Sequence, residues 1–160
     1  MEIFLGLGSN VGNREDNLRH AIERLAPEIR LEKHSAIYRT MPMYVKEQPE
    51  FLNMTIQAET ELSAHEVFQK IDTIQKEMGE HRKNQPRSID IDILFFGHKI
   101  IETPELKIPH PKIAERAFVL VPMNDIAPDF VHPVLGVPIE TLLSRVEGHE
   151  DVKPFSHSYE

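Results

Sequence analysis

Two aspartates, Asp90 and Asp92, alternate with isoleucines in the stretch from Pro86 to Ile93. Successive side chains of a β-strand point to opposite faces, so both carboxylates leave one face while the isoleucines enter a core on the other. Neighbouring carboxylates repel each other unless a cation lies between them, and hard oxygen ligands favour Mg²⁺. The pattern predicts a magnesium site, and the alternative is an exposed strand edge with two hydrated aspartates.

Three cationic residues, Arg82, Lys83 and Arg87, lie within ten residues of this pair. The whole chain has 18 basic and 26 acidic residues and a formal net charge of −8, so a local group of cations stands out. Cations beside paired carboxylates suit a site that holds both a metal and phosphate oxygens. A salt-bridged surface loop is the alternative interpretation.

A histidine between two prolines, His110, lies in a stiff loop because proline fixes the backbone angle φ on either side. Arg116 and Phe118 follow it, and residues two positions apart on an extended segment share a face. That arrangement would suit a phosphate contact beside an aromatic stack, although each of the three residues is more often structural. The nine histidines form no HExxH motif, which disfavours a zinc enzyme.

The segment Gly6–Asn10 reads Gly-Leu-Gly-Ser-Asn. It fits neither the dinucleotide-binding pattern, which needs glycine at the position of Val11, nor the P-loop, which needs Gly-Lys-Ser/Thr. We expect glycine here to let the backbone approach a flat ligand or another strand closely. A tight turn is the alternative.

The 160 residues are expected to form one domain, residues 1–160. The sequence shows neither an apolar run of membrane-spanning length nor a signal-peptide pattern, and its lack of cysteine fits a cytoplasmic protein. Its negative charge disfavours nucleic acid as a partner. We therefore expect a soluble cytoplasmic chain, a monomer or weak homodimer, whose partners are small molecules rather than nucleic acid or membrane.

Periodicity predicts elements in the order β-α-β-β-α-β. They are a strand at Glu2–Leu7, a helix capped by Asn13 and ended by Pro27, strands at Leu31–Tyr38 and Phe51–Leu62, a helix from Ser63 to Gly79, and a strand at Ile89–Phe96. The stretch Thr40–Pro49 is expected to be a long functional loop. This order predicts a ferredoxin-like α+β sandwich with an antiparallel sheet.

Extra C-terminal elements are expected after this unit. Phe118–Val121 is an apolar run that we expect to be extended, and Ile139–Val146 is predicted to contain a short helix. The last ten or so residues are expected to be frayed.

With these segments in order, the sequence resembles the 6-hydroxymethyl-7,8-dihydropterin pyrophosphokinase family of folate biosynthesis. The motifs that carry the resemblance are Gly6–Asn10, Tyr38–Pro42, Gln48–Asn53, Pro86–Asp92, Pro109–Pro111, Arg116–Leu120 and Ile126–Pro128. The resemblance implies a ferredoxin-like sandwich with extra elements. It also implies a diphosphotransferase that moves diphosphate from ATP, its co-substrate, to the hydroxymethyl group of the pterin and releases AMP.

The resemblance further implies a role for each candidate residue. Asp90 and Asp92 would hold two Mg²⁺ between the pterin hydroxymethyl group and the ATP phosphates. Thr40, Met43 and Asn53 would line the pterin pocket, with the pterin ring between Phe51 and Phe118, while Arg87, His110 and Arg116 would contact ATP and the loop of Lys83 would cover the nucleotide. Arg87 is expected to serve catalysis as well as ATP binding.

Two positions depart from the family's pattern. Gln75 stands where the second helix usually carries a glutamate, and Gly79-Glu80-His81-Arg82 replaces Gly-Arg-x-Arg, so one arginine of the lid is missing. The loop that leads to Pro86 is also shorter than in longer members of the family. We hypothesise that Arg82 acts as the main mobile catalytic cation.

Two other functions remain compatible with the sequence. A different magnesium-dependent phosphoryl-transfer or hydrolytic enzyme on the same scaffold would not depend on the pterin or release AMP. A ferredoxin-like module without catalytic activity would bind ATP and release no AMP. The presence of both aspartates favours an enzyme over such a module.

Overall fold

The computed structural model describes residues 1–40, 50–79 and 88–155. Its strands are β1 (Glu2–Ser9), β2 (Ile29–His34), β3 (Tyr38–Thr40), β4 (Phe51–Thr60), β5 (Asp90–Phe96), β6 (Ile101–Glu102), β7 (Lys107–Ile108) and β8 (Lys153–Pro154). Its helices are α1 (Arg14–Leu25), α2 (Ala64–Glu77), α3 (Ala117–Ile126) and α4 (Ile139–Arg145), with short 3₁₀ turns at Ile113–Glu115 and His149–Asp151. No helix within these ranges is long and apolar enough to cross a bilayer.

The main sheet has the strand order β5-β1-β4-β3-β8, and β2 also pairs with β4. Every pairing between these strands is antiparallel. With β2 and β3 counted as one split strand, this is the predicted ferredoxin-like α+β order, and the fold prediction is confirmed.

The predicted single strand Leu31–Tyr38 is wrong, because the chain forms two strands there. Between them Ser35 is buried, and its backbone N–H donates to the carbonyl oxygen of Thr55 at 2.9 Å while its hydroxyl oxygen accepts from the Thr55 N–H at 2.9 Å. A side chain that takes over one bond of the ladder interrupts regular pairing. β2 and β3 therefore pair with β4 as separate strands.

Both predicted helix starts are confirmed. The Asn13 side chain accepts a hydrogen bond from the backbone N–H of Asp16, and acidic residues fill the first turn of α1. Ser63 and Glu66 form the reciprocal capping box at the start of α2. Local sequence thus fixes where both helices of the first face begin.

The sheet has a hydrophobic core on each face. The first core packs α1 and α2 against one face and includes Leu18 of α1, Ile71 of α2 and Leu5 of β1. The second core packs α3 and α4 against the other face and includes Leu120, Leu142 and Phe4. We refer below to the face under α1 and α2 as the first face and to the opposite one as the second face.

The apolar run Phe118–Val121 is not extended, as expected from sequence, but belongs to the helix α3. This helix lies between the sheet and α4 and is buried on most sides, so it lacks the amphipathic period by which surface helices are recognised. Pro122 within it adds a signal against a helix. The short helix predicted near Ile139 is confirmed as α4.

The prediction that the last ten residues are frayed is wrong for part of that stretch. Lys153 and Pro154 form β8, which pairs with Arg39 and Tyr38 of β3. The backbone N–H of Phe155 also donates to the carbonyl oxygen of Ile37 at 2.9 Å. Residues 156–160 lie outside the described part of the chain.

Candidate active site

A row of residues crosses four strands on the second face. Asp90 of β5 lies opposite Gly8 of β1, Gly8 opposite Asn53 of β4, and Asn53 opposite Tyr38 of β3. Residues directly opposite one another on antiparallel strands present their side chains on the same face. This cross-strand row therefore joins one predicted metal ligand to one predicted pterin residue, with a glycine between them.

The two aspartates of β5 have the predicted arrangement. Asp90 and Asp92 are half-buried, while Ile91 and Ile93 between and beside them are buried in the first core. Asp92 lies opposite Gly6, two residues along each strand from the cross-strand row. Both carboxylates thus emerge on the second face beside a strip of β1 that carries no side chain at these two positions.

The donor set suits magnesium. Within the described residues no group of three or more His, Asp or Glu side chains is arranged to hold a metal ion. Magnesium keeps several waters and is commonly held by one or two carboxylates together with substrate phosphates. Two carboxylates beside an open cavity fit that pattern better than that of a closed structural metal site.

A cavity of about 290 Å³ opens beside β5. Its lining residues come from α2, from β5 and from the segment that follows β6, and include Phe68, Ile71, Gln75, Asp90, Asp92, Lys107 and His110. Both apolar walls and charged groups are present, which is typical of a pocket for a small-molecule ligand. The aspartate pair lies at this cavity rather than away from it.

Gln75 fixes the strand that carries the aspartates. Its Oε1 accepts a hydrogen bond from the backbone N–H of Ile91, between Asp90 and Asp92, at 2.8 Å. β5 forms an edge of the described sheet, so this amide has no strand partner on that side and the glutamine takes its place. The sequence singled out Gln75 only as a departure from the family, and nothing local in the sequence signals this bond.

His110 is brought close to the aspartate pair and to Arg116. Burial lowers the pKa of His110 to about 4, and the nearby Arg116 adds to this effect while Asp90 opposes it. Its Nδ1 accepts a hydrogen bond from the Lys112 backbone N–H at 3.2 Å. A neutral ring whose Nδ1 accepts carries its proton on Nε2, so His110 can offer a neutral donor to an anion.

Arg116 and Phe118 do meet, although not on the extended segment that the sequence predicted. Arg116 is the residue before the first turn of α3, and Phe118 lies in that turn. The guanidinium carbon lies 5.5 Å from the centre of the Phe118 ring. The buried Nε of Arg116 has no hydrogen-bond partner among the described residues, so a donor remains there for an anionic ligand.

The predicted pterin residues on β3 and β4 also meet. The hydroxyl of Thr40 donates to Oδ1 of Asn53 at 2.6 Å. Thr40 is buried, whereas Asn53 and Phe51 are half-buried and open to the second face. The arrangement fixes the orientation of the Asn53 amide at the far side of Gly8 from Asp90.

Asp125 of α3 was not found from the sequence. Its Oδ2 accepts hydrogen bonds from the Tyr38 hydroxyl at 2.6 Å and from the Ala36 backbone N–H at 3.2 Å. Burial, followed by the bond to Asp125, raises the pKa of Tyr38. This contact ties α3, which carries Phe118, to the strand at the end of the cross-strand row.

Four predicted site residues, Met43, Arg82, Lys83 and Arg87, lie outside the described residues, as do the Thr40–Pro49 loop beyond its first residue and most of the loop after α2. The predicted sandwich of a ring between Phe51 and Phe118 stays a prediction, as does metal binding by the aspartates. The structure does bring Asp90, Asp92 and His110 to one cavity, with Arg116 near enough to affect His110 electrostatically.

Comparison with known proteins gives one family. A family model described as 7,8-dihydro-6-hydroxymethylpterin-pyrophosphokinase matches residues 4–128. The chain is 38% identical over 155 residues to the 2-amino-4-hydroxy-6-hydroxymethyldihydropteridine pyrophosphokinase of Aquifex aeolicus, covering 96% of this chain and 94% of that protein. It is 41% identical over 155 residues to the folic acid synthesis protein fol1 of Pneumocystis carinii, covering 95% of this chain and 21% of that protein.

The fold likeness extends to solved structures. The chain matches the crystal structure of Plasmodium falciparum HPPK-DHPS with a TM-score of 0.75 and 17% identity, covering 90% of this chain and 45% of that one. At this identity the match supports the fold alone. The chain thus spans about a fifth of the Pneumocystis protein and under half of the Plasmodium chain, but nearly all of the Aquifex protein.

Proposed function

The chain belongs to the 7,8-dihydro-6-hydroxymethylpterin-pyrophosphokinase family, and from this we propose that it transfers diphosphate from ATP to the hydroxymethyl group of 6-hydroxymethyl-7,8-dihydropterin in folate biosynthesis. The observation that carries the proposal is the cross-strand row, in which Asp90 and Asn53 flank Gly8 on one face. A metal-phosphate site and a pterin site on either side of one glycine suit a transfer between two substrates.

The nucleotide is assigned to the cavity beside β5. Its apolar wall of Phe68 and Ile71 can take the base, and the Asp90 and Asp92 end can take the metal-bound phosphates. His110 lines this cavity and its neutral Nε2 is assigned as a donor to phosphate oxygens; Arg116, which acts electrostatically on His110 and has an unpaired Nε, is assigned as a second donor. Lys83 and Arg87 are assigned to the same ATP site on the family resemblance alone.

Asp90 and Asp92 would hold two Mg²⁺. When bound there, the ions would neutralise charge on the phosphates and lower the barrier to attack by a weak nucleophile. The chain's own part is to keep the two carboxylates on one face. The buried isoleucines of β5 and the hydrogen bond from the Ile91 N–H to Gln75 hold the strand in that arrangement.

The pterin is assigned to the Asn53 side of Gly8. The Asn53 amide, with its oxygen held by Thr40, presents a fixed donor and acceptor to the edge of a heterocycle. Phe51 and Phe118 would stack on the two ring faces, and Met43 would complete the pocket. The hydroxymethyl group would then point across Gly8 towards Asp90.

In the transfer the hydroxymethyl oxygen forms a bond to the β-phosphorus of ATP. The bond from that phosphorus to the oxygen bridging the α-phosphate breaks, AMP leaves, and the hydroxyl proton passes to water. The chain contributes orientation of the two substrates and positive charge from Arg116, with Arg82 and Arg87 assigned as further catalytic cations.

An assay with ATP, Mg²⁺ and the pterin alcohol, scored for nucleotide products, tests the proposal. We expect one AMP for each pterin consumed and no AMP when the pterin or the metal is omitted. Release of ADP or inorganic phosphate would instead favour another phosphoryl-transfer or hydrolytic enzyme. Saturable ATP binding with no product would favour a binding module.

We also propose that residues 1–160 act as one catalytic domain. The two cores share the same central sheet, and elements from both faces contribute to the candidate site. A cytoplasmic location is proposed on the composition, and a monomeric or weakly dimeric state is proposed beside it. Gel filtration of the purified chain with light-scattering detection would measure the oligomeric state directly.

A further inference from the structure

Gly8 lies in the interior of β1, where its backbone does not require glycine. The glycines whose φ is positive are elsewhere in the described chain, so the backbone of Gly8 is one that any L residue can adopt. Glycine inside a strand costs stability relative to alanine. Some other constraint must therefore explain the missing side chain at this position.

The constraint comes from Asn53 on the pterin side. A Cβ added to Gly8 would lie 2.9 Å from Nδ2 of Asn53 and 3.4 Å from Cδ1 of Phe51. The first distance is shorter than real Cβ contacts, so the Asn53 amide would have to move. It can move cheaply, because Nδ2 is at the end of a side chain, but only by disturbing the Oδ1 bond with Thr40.

Gly6 on the same strand provides a contrast. A Cβ added there would lie 3.4 to 3.6 Å from the side chain of Leu94, which is ordinary van der Waals contact. Gly6 faces the same side of the sheet and also has a backbone that alanine can adopt. The two glycines differ in what a methyl group would meet, and also in burial, since Gly8 is buried and Gly6 only half-buried.

We propose that Gly8 is a positioning residue for the pterin: its missing side chain leaves the space in which the Asn53 amide takes the orientation that holds the edge of a flat heterocycle. The proposal rests on the proposed function and adds a residue to it. It assigns the glycine a role in pterin binding, which is separate from the metal and phosphate binding assigned to Asp90 and Asp92. A methyl group at Gly8 turns the amide and raises the pterin dissociation constant without touching the ATP cavity.

The first experiment compares Gly8→Ala with Gly6→Ala in the full chain. Pterin binding is titrated by its fluorescence at saturating Mg²⁺ and a non-hydrolysable ATP analogue, and analogue binding is measured separately by calorimetry. We expect Gly8→Ala to raise the pterin dissociation constant about tenfold, the equivalent of one lost hydrogen bond. Gly6→Ala should change it by less than about twofold, and the analogue affinity of both variants should stay within about twofold of wild type.

A double-mutant cycle with Asn53→Ala tests whether Gly8→Ala weakens pterin binding through the Asn53 amide. If Gly8 acts through the Asn53 amide, Gly8→Ala in the Asn53→Ala background should change the pterin dissociation constant by less than about twofold. The alanine at residue 53 also removes the collision, so the double variant is expected to fold. Circular dichroism and thermal unfolding of all four proteins check this.

Each outcome decides the proposal. Pterin affinity that is unchanged in Gly8→Ala, or effects that multiply in the double variant, would overturn it while leaving the proposed function standing. A Gly8→Ala chain that unfolds while the double variant folds would also overturn the proposal, because the glycine would then be needed for stability rather than for pterin binding. A wild-type chain that binds the ATP analogue but no pterin would overturn the proposed function, and the role of Gly8 with it.

Discussion

The two faces of the sheet are built from different kinds of interaction. On the first face, α1 and α2 begin at local caps and pack periodic apolar side chains such as Leu18 and Ile71 into one core. On the second face a core lies beside polar groups joined over long separations, such as Tyr38 and Asp125, 87 residues apart. The difference indicates that α1 on the first face mainly stabilises the fold, whereas the second face and α2, which lines the cavity beside β5, also hold the site.

The strongest test of this division is Asp92→Ala. Asp92 is half-buried on the second face and is a proposed metal ligand, so its loss should lower turnover by about 10³-fold or more. The fold should stay intact, because the side chain is not part of either core. Steady-state AMP release and thermal unfolding measure the two effects. Asp129→Ala, an exposed carboxylate after α3, serves as the control and should retain wild-type turnover. Wild-type turnover in Asp92→Ala would contradict the two-carboxylate metal site.

A pair of leucine truncations compares the faces directly. Leu18 in α1 and Leu120 in α3 are both fully buried, so each change to alanine should lower the free energy of unfolding by about 2–5 kcal/mol. Leu18→Ala should leave kcat and KM of the folded protein near wild type. Leu120→Ala should also raise both KM values, because α3 carries Phe118 and follows Arg116. Chemical denaturation and kinetics well below the melting temperature measure the two properties, and equal kinetic effects would remove the distinction between the faces.

What the sequence could predict follows the same division. Asn13 and Ser63 act within one helical turn, and the alternation around Asp90 and Asp92 needs only the period of a strand, so these features were predicted correctly. The helix α3 was missed because burial on most sides removes its amphipathic period. Local sequence patterns therefore predict contacts between residues that are close in the chain.

The bonds that shape the site join residues far apart in the chain. Gln75 meets the Ile91 amide only because α2 packs beside the edge strand, and Asp125 meets Tyr38 only because α3 crosses the sheet. The requirement for glycine at position 8 likewise depends on Asn53 from another strand. These features need the tertiary structure, whereas the family resemblance supplied the residue types without the contacts.

A smaller effect is expected from Phe118→Ala on the second face. If the ring stacks on the pterin, its loss should weaken pterin binding by about 1–3 kcal/mol. Phe118→Leu keeps much of the apolar volume against the second core and should lose the stacking part alone. Fluorescence titration of the pterin gives the affinities, and thermal unfolding shows any loss of packing. An unchanged affinity in both variants would assign Phe118 to the core.

The smallest effect is the pH dependence of stability, which tests the protonation of His110 at the cavity beside β5. Its folded-state pKa is about 4, below the ordinary value of 6.5, because burial disfavours the charged ring. Between these values the unfolded chain binds a proton that the folded chain does not, so stability falls as pH drops from 6.5 to 4 and then levels off for this group. Burial also lowers the pKa of His132, which adds to the slope in the same direction.

His110→Gln should therefore flatten the fall in stability between pH 6.5 and 4 without abolishing it. Glutamine can still accept the bond from the Lys112 N–H but does not titrate, and His132 continues to contribute. Urea unfolding at several pH values in this window gives the slopes for wild type and variant. Parallel slopes would mean that His110 titrates alike in the folded and unfolded chains, and that its ring is open to water rather than held neutral beside Asp90 and Arg116.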